Sequence, residues 1–329
     1  MRRRDFLNVL AGSVAGMPAL ASNTLRVLPE EPHKKTQETD VLVKVLGTAQ
    51  DGGIPQLGCY CKNCLRAREE TRFSRLISSL GLFDLVESNF FLLDATPDIR
   101  VQCHMAHERL GKEKTARRNF PQAALLTHAH IGHYTGLMFF GYESVSTSGL
   151  PVYCSERMET FLANNGPWSQ LVNLNNISLR TLSFENKLSL TPRISVVAFQ
   201  VPHRDEYSDT VGFTISGQKK KLLYIPDIQD WKTWKKSIVE EVEKVDFALL
   251  DGTFYSPEEL PGRDLSRIGH PFIKTSAKLL GKLARGGKTK IYFTHLNHSN
   301  LALDPDEKAR QEIEAEGFII AEEGIEFFL

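Results

Sequence analysis

The sequence has no excess of charge of either sign and no long apolar run. Lys and Arg together number 40, as do Asp and Glu, so no overall field attracts nucleic acid or an anionic membrane. No stretch holds the ~20 apolar residues that a spanning helix requires, so we expect no stable membrane anchor. Repeats and low-complexity tracts are also lacking. We therefore expect one globular domain over residues 40–329, with a small-molecule substrate and no nucleic acid partner.

The first residues have the pattern of an export signal. Residues 1–21 begin with three arginines, continue with an uncharged stretch and end in an A-x-A site at Ala21, as cleaved signal peptides do. Their RRDFL segment, which contains Arg3 and Arg4, resembles a twin-arginine signal; a Sec-type signal with extra basic residues is the alternative. We expect cleavage near Ala21, a disordered lead-in over residues 22–39, and a periplasmic or otherwise exported protein.

From residue 40 onward, strand-like and helix-like segments follow one another, which indicates an α/β (α+β) protein. Apolar runs predict strands at residues 41–47, 89–94, 122–127, 194–201, 211–216, 222–225, 247–251, 290–294 and 325–329. Helical periodicity predicts helices at residues 156–164, 233–244, 274–285 and 305–316, the last with Asp304 as its N-cap. Trp231 and Trp234 have helical spacing and are predicted to pack in the core.

Several predicted strands run directly into a metal-binding residue type, as in ALLTHAH, FQVPH, LLYIPD, FALLDG and IYFTH. A rigid strand that precedes such a residue holds it at a sheet edge with little entropy left to lose. The densest example is His128-x-His130-x-x-His133, and neutral imidazole is a good ligand for Zn²⁺ and Fe²⁺. His203, Asp227 and His295 follow later in the chain. The pattern predicts a preorganised metal site.

A second motif is formed by cysteines. The chain has five, an odd number for an exported protein, and three of them form Cys59-x-Cys61-x-x-Cys64. Three thiolates at this spacing need one more ligand to close a tetrahedral zinc site, and His298 is the candidate. A disulfide or redox role for these cysteines is the alternative.

These segments resemble the metallo-β-lactamase superfamily, and within it the PqqB family of pyrroloquinoline quinone biosynthesis and the PhnP phosphodiesterases. The stretches that carry the resemblance are GTAQDGGIPQLGCYCKNC, LLDATPDIRVQ, ALLTHAHIGHYTGL, LLDGTFY, IGH and FTHLNHSN. The resemblance implies a four-layer αββα sandwich with the metal site at one edge. It also implies structural zinc in the Cys3His site, and since many relatives are dimers, a homodimer is an open expectation.

The same resemblance implies a ligand assignment. His128, His130 and His203 would bind a first ion; His133 and His295 would bind a second, with Asp227 bridging. The family motif is H-x-H-x-D-H, and Gly132 stands here in place of its carboxylate. The catalytic centre is therefore expected to hold one or two Zn²⁺, Mn²⁺ or Fe²⁺ ions, as a mononuclear or an asymmetric dinuclear site.

Three functions follow from this resemblance. The first is a hydrolase that uses metal-bound hydroxide on a phosphodiester, lactone or other ester, with Asp227 in the catalytic centre and His270 as general acid or substrate ligand. PqqB proteins typically lack the leading histidines of the motif, which favours this function here. The second is a PqqB-type iron-dependent oxygenase. The third is a binding protein with a degenerate metal site, suggested by Gly132.

Overall fold

Two mixed seven-stranded sheets form the centre of the computed structural model, which describes residues 39–111 and 120–329. The predicted signal peptide, and all of the predicted lead-in except Thr39, lie outside these ranges. The strands of the first sheet are β1 (Val41–Gly47), β2 (Ser79–Asp84), β3 (Asn89–Leu93), β4 (Ala124–Leu125), β5 (Leu150–Cys154), β6 (Ile177–Thr181) and β14 (Glu326–Phe328). Those of the second are β7 (Lys187–Ser189), β8 (Ser195–Val201), β9 (Thr210–Ser216), β10 (Lys221–Ile225), β11 (Phe247–Asp251), β12 (Lys290–Thr294) and β13 (Ile319–Ile320).

The two sheets have the same kind of topology. The first has the order β14-β1-β2-β3-β4-β5-β6 and the second β13-β12-β11-β10-β9-β8-β7. In each sheet one half is antiparallel, from β14 to β3 and from β7 to β10, and the other half is parallel. Parallel strands end at a common sheet edge, so residues that follow them lie near one another.

The buried apolar side chains form three clusters, and alternate residues of β1 contribute to two of them. Val41, Val43 and Val45 face the core between the sheets, where they meet side chains such as Phe213. Leu42 faces the opposite side of the sheet and packs in a second cluster, under helices. Because β1 is covered on both faces, it is apolar at almost every position.

Helices cover the outer face of each sheet. They are α1 (Lys62–Glu69), α2 (Ile99–Arg109), α3 (Ile131–Tyr134), α4 (Glu156–Asn164), α5 (Trp168–Asn173), α6 (Ile238–Glu243), α7 (Ile273–Gly286) and α8 (Lys308–Ala315). The apolar stripe of α7, which includes Ile273, Ala277 and Leu280, packs on the second sheet. The predicted four-layer αββα sandwich is confirmed. No helix in the described ranges is long and apolar enough to span a membrane.

Two predicted helices begin later than expected. The helix predicted at residues 233–244 begins at Ile238, because the Ser237 hydroxyl accepts a hydrogen bond from the Glu240 amide and caps it there. The prediction of Asp304 as an N-cap is wrong, since α8 begins at Lys308; the Asp304 carboxylate binds Arg66 and accepts from the Asp306 amide in the turn before the helix. Trp231 and Trp234 precede α6 and are buried, as predicted.

Candidate metal centre

The predicted ligands of the first ion meet at one edge of the two sheets. The His128 Nε2 atom lies 3.3 Å from Asp227 Oδ2, and His203 Nε2 lies 3.2 Å from Asp227 Oδ1. The Nδ1 atom of His130 is 3.3 Å from His203 Nε2. One ligand atom from each of these four residues lies within 4.8 Å of all the others, although they come from segments that follow β4, β8 and β10.

These spacings fit a divalent ion. Nitrogen ligands about 2.0–2.1 Å from a tetrahedral Zn²⁺ lie roughly 3.3 Å from one another, the separation found between His130 and His203. Among the described residues, the buried His128 Nε2 and Asp227 Oδ1 atoms have no hydrogen-bond partner. A bound cation satisfies such atoms, which are otherwise costly to bury.

Burial and neighbouring charges set the protonation states of these ligands. Burial, together with the charge of His133, holds the pKa of His128 well below its usual range, so its ring is neutral. Burial alone would raise the pKa of Asp227, but the surrounding histidines, with His203 foremost, hold it well below the usual range. Neutral imidazole and ionised carboxylate are the forms that bind metal.

A second group of side chains lies beside the first. His133 Nε2 is 3.3 Å from His295 Nε2, and the Asp51 Oδ1 atom lies 3.7 Å from His133 Nε2. His295 Nε2 is also 3.8 Å from Asp227 Oδ2, so Asp227 stands between the two groups. Although burial favours a neutral ring, the charge of Asp94 raises the pKa of His133 to about 9.

Hydroxyl and carboxyl groups behind the histidines orient their rings. Asp94 Oδ2 accepts from His133 Nδ1 at 2.8 Å, and the Thr253 hydroxyl lies 2.9 Å from His295 Nδ1. The Thr127 hydroxyl, which contacts Asp94, is 3.0 Å from His128 Nδ1. With Nδ1 bonded to these groups, the Nε2 lone pairs of the three histidines point into the centre. Asp94 and His295 adopt left-handed backbone conformations, with φ of 65° and 59°.

His270 lies at the rim of the centre. Its Nδ1 atom is 2.9 Å from Asp251 Oδ2 and 3.1 Å from Asp227 Oδ1. Its ring centroid is 5.5 Å from that of His203 and 5.7 Å from that of His295. Burial opposes protonation of His270, but the charges of Asp251 and Asp227 raise its pKa to about 10.

The cysteine motif forms a separate group. Cys59 Sγ and Cys61 Sγ lie 3.3 and 3.4 Å from His298 Nδ1, and ligand atoms of Cys59, Cys61, Cys64 and His298 all fall within 4.8 Å of one another. All five cysteines of the chain are free. The amide of Cys61 donates to the Cys59 sulfur and lowers the pKa of that thiol. This is the donor set of a closed structural zinc site, which would join the loop after β1 to the loop after β12.

Two cavities are lined by residues that contact the histidines of the centre. One, of about 500 Å³, is lined by Arg157, Phe161 and Tyr207 and reaches Glu206, whose carboxylate lies 3.4 Å from His130 Nε2. The other, of about 350 Å³, lies beside the cysteine group and is lined by residues that include Phe254. The Phe254 ring is edge-on to His270 at 5.9 Å. A small substrate therefore has room next to the residues that contact His130 and His270.

Four residues of the site were not predicted from the sequence: Asp51, Asp94, Thr127 and Thr253. Each follows a strand directly or nearly so, and this is the signal that identified the histidines. Asp94 follows β3 in NFFLLD, and Asp51 follows β1 in VLVKVLGTAQD. The pattern of an apolar strand followed by a polar residue could therefore have identified these four residues as well as the histidines.

The comparisons with known proteins agree with this geometry. A model of the beta-lactamase superfamily domain matches residues 89–296, so the chain belongs to the beta-lactamase superfamily. Within that superfamily the chain is similar to PqqB proteins. It is 26% identical over 320 residues to coenzyme PQQ synthesis protein B of Methylococcus capsulatus, across 88% of this chain and 100% of that protein. The protein of the same name from Pseudomonas paraeruginosa is 26% identical over 309 residues, across 86% of this chain and 98% of the relative.

Solved structures share the fold. Zn²⁺-bound PqqB from Methylobacterium extorquens has a TM-score of 0.72 at 24% identity, across 88% of this chain and 100% of that one. A diphosphatase of the PhnP family has a TM-score of 0.63 at 20% identity, across 87% and 96% of the two chains. Both families expected from the sequence are thus found among the structural relatives.

Proposed function

We propose that this chain is a metal-dependent hydrolase that acts on a small phosphodiester, lactone or other ester. The observation that carries the proposal is the complete ligand set of His128, His130 and His203 with Asp227, in which the buried His128 Nε2 and Asp227 Oδ1 atoms have no hydrogen-bond partner among the described residues. An ion of this kind, when bound, lowers the pKa of a coordinated water to about 7 and polarises the substrate oxygen that it contacts.

The protein groups around the centre have distinct tasks in this reaction. Thr127 and Thr253 keep the coordinating rings in one tautomer, so no reorganisation is needed when substrate arrives. Asp251 accepts from His270 Nδ1 and holds that ring at the rim, where it can supply a proton to a leaving group. Since an activated water is the nucleophile, no serine or cysteine nucleophile is required.

Turnover of model esters tests this function. The protein loaded with Zn²⁺ or Mn²⁺ should hydrolyse at least one of an aryl phosphodiester, an aryl carboxylic ester and a lactone. His128→Ala should abolish that activity while circular dichroism and thermal unfolding stay close to wild type. His104→Ala is the matched control, because His104 is exposed on α2 and pairs with Glu108 at the surface. Equal activity in His128→Ala and wild type would exclude the histidine centre as the source of turnover.

The PqqB relatives favour a second candidate function. The similarity extends over 88% of this chain, and those relatives are named for coenzyme PQQ synthesis. In this alternative the centre binds iron and supports an oxygenation rather than a hydrolysis. Iron in the histidine centre of the purified protein, together with oxygen consumption and no ester turnover, would favour it over the hydrolase.

We also propose that the protein is exported through the twin-arginine pathway, on the basis of the RRDFL segment and the A-x-A site at Ala21. Export of a folded protein suits a centre loaded with metal in the cytoplasm. Replacement of both Arg3 and Arg4 by lysine should retain the protein in the cytoplasm. Unchanged export of this variant would point to a Sec-type signal.

A further inference from the structure

The family motif has a carboxylate side chain at position 132, where this chain has glycine. The carboxylate of Asp51 lies in the space that a side chain at position 132 would fill. The Gly132 amide donates a hydrogen bond of 2.9 Å to Asp51 Oδ1. A Cβ atom on Gly132 would lie 2.3 Å from that oxygen and 2.7 Å from the Asp51 Cα atom. These distances are well below van der Waals contact, so this arrangement of Asp51 requires glycine at position 132.

The loop that carries Asp51 is fixed to the loop that carries His295. The Gln50 amide donates to the Leu296 carbonyl at 3.0 Å, and the Leu296 amide donates to Thr48 at 2.8 Å. This pairing places residue 51 next to the segment after β12. The carboxylate is only about one-fifth exposed, and its Oδ1 atom faces His133 Nε2.

The two histidines beside Asp51 direct their Nε2 atoms at each other. His133 donates through Nδ1 to Asp94, and His295 donates through Nδ1 to the Thr253 hydroxyl. Their Nε2 atoms therefore meet at 3.3 Å in full burial, a separation that either a shared proton or a bound cation satisfies. A divalent cation that displaces this proton is bound by both Nε2 lone pairs, and the carboxylate of Asp51 alongside adds a third ligand atom.

We propose that Asp51 is a ligand of a second divalent cation, bound with His133 and His295, and that it replaces the carboxylate missing at position 132. This inference extends the proposed metallohydrolase centre to a dinuclear one. It concerns metal binding alone, so it stands or falls independently of the reaction that the centre catalyses. Asp227 lies between the two ions' ligand sets, 3.8 Å from His295 Nε2.

Metal titration of the full-length protein tests the proposal. Zn²⁺ is added to metal-depleted protein, and the dissociation constants and the ions bound per chain are measured for wild type and Asp51→Asn. The amide is isosteric and its oxygen still accepts from Gly132, so the fold is kept while the charged ligand is lost. We expect the weaker histidine-centre ion to bind on the order of 10–100-fold less tightly, with the other ions unaffected.

A second variant removes the carboxylate by another route. Gly132→Ala places a Cβ atom against Asp51 and displaces it, so this variant should lose the same ion. Asp306→Asn, at an exposed carboxylate outside the centre, is the control for a general loss of negative charge and should bind as wild type does. Wild-type affinity and stoichiometry in Asp51→Asn would overturn the proposal. So would loss of the ion bound by His128, His130 and His203 instead of the one at His133.

Discussion

His133 and Asp94 form a fully buried pair in which the imidazole Nδ1 lies 2.8 Å from the carboxylate Oδ2. Asp94 also accepts from the Thr127 amide at 2.8 Å, so one carboxylate positions both the strand end and the ring. Its effect on the centre is to keep the His133 Nε2 lone pair directed at His295.

Asp94→Asn should weaken the second metal site without unfolding the protein. Asparagine tolerates the left-handed backbone at this position, but its NH₂ group can face His133 and favour the tautomer with hydrogen on Nε2. That tautomer cannot bind a metal through Nε2. We expect affinity for the second ion to fall on the order of 10–100-fold in a Zn²⁺ titration. Unchanged affinity would show that Asp94 does not orient the ring.

His270→Gln should slow hydrolysis in a way that depends on the leaving group. A general acid contributes about 10²–10⁴-fold where the leaving group needs a proton and little where it departs as a stable anion. The kcat for an alkyl ester should therefore fall far more than the kcat for a p-nitrophenyl ester. An equal loss for both substrates would assign His270 to substrate or metal binding instead.

The ion pair of Asp84 and Arg193 should contribute strongly to the free energy of unfolding. Asp84 ends β2 and is fully buried, while Arg193 precedes β8 in the other sheet, and the Arg193 Nε atom lies 3.0 Å from both carboxylate oxygens. Burial opposes ionisation of Asp84, but Arg193 lowers its pKa. Arg193→Met leaves a buried charge unpaired and should cost about 3 kcal/mol.

Arg109→Met is the matched control for this pair. Arg109 binds the partly exposed Glu326, so its loss should cost at most about 1 kcal/mol. Both values are measured by denaturant unfolding at neutral pH. Similar costs for the two variants would contradict the assignment of a special role to the Asp84–Arg193 pair.

Glu259 should make the protein less stable as the pH rises. Burial raises the pKa of its carboxyl from 4.5 to about 7, although the amides of Leu301 and Tyr255 donate to it. The folded state therefore holds the proton more tightly than the unfolded state. The stabilisation that the protonated Glu259 contributes is complete below about pH 4.5 and is lost as the pH rises through 7. This loss lowers the free energy of unfolding by about 3 kcal/mol at most.

Glu259→Gln removes this titration, because the amide keeps the acceptor oxygen and carries no charge. The difference in unfolding free energy between variant and wild type should grow in favour of the variant between pH 5 and pH 8. Glu258→Gln is the control, since this exposed neighbour has a lowered pKa and should show no such trend. A constant difference for Glu259→Gln would show that Glu259 titrates normally.

The sequence predicted those strands and helices that are marked by a pattern within their own residues. Strands β1, β11 and β12 were predicted with their observed bounds because apolar runs mark them, and α4 was predicted with its observed bounds from its helical periodicity. Helix α2 was missed. Its buried face includes Gln102, which donates to Ile77 and accepts from Thr96, and a buried glutamine hides the apolar periodicity.

The site was predictable in part for the same reason. The histidines are grouped in a motif or follow strands, so their types and spacing identify them. The position of Asp51 depends on the pairing of its loop with Leu296, which is distant in sequence, and on the absence of a side chain at Gly132. Contacts of this kind between distant segments are properties of the fold and have no counterpart in local sequence.

Metal content per chain tests the central claim most directly. Elemental analysis of the purified protein is made for wild type, Cys61→Ser and His128→Ala. We predict at least two ions per chain in wild type. Cys61→Ser should lose one zinc and keep the ions of the histidine centre, and His128→Ala should keep the zinc of the cysteine site. A single zinc that disappears in Cys61→Ser would mean that the histidine centre binds no metal, and would contradict the account.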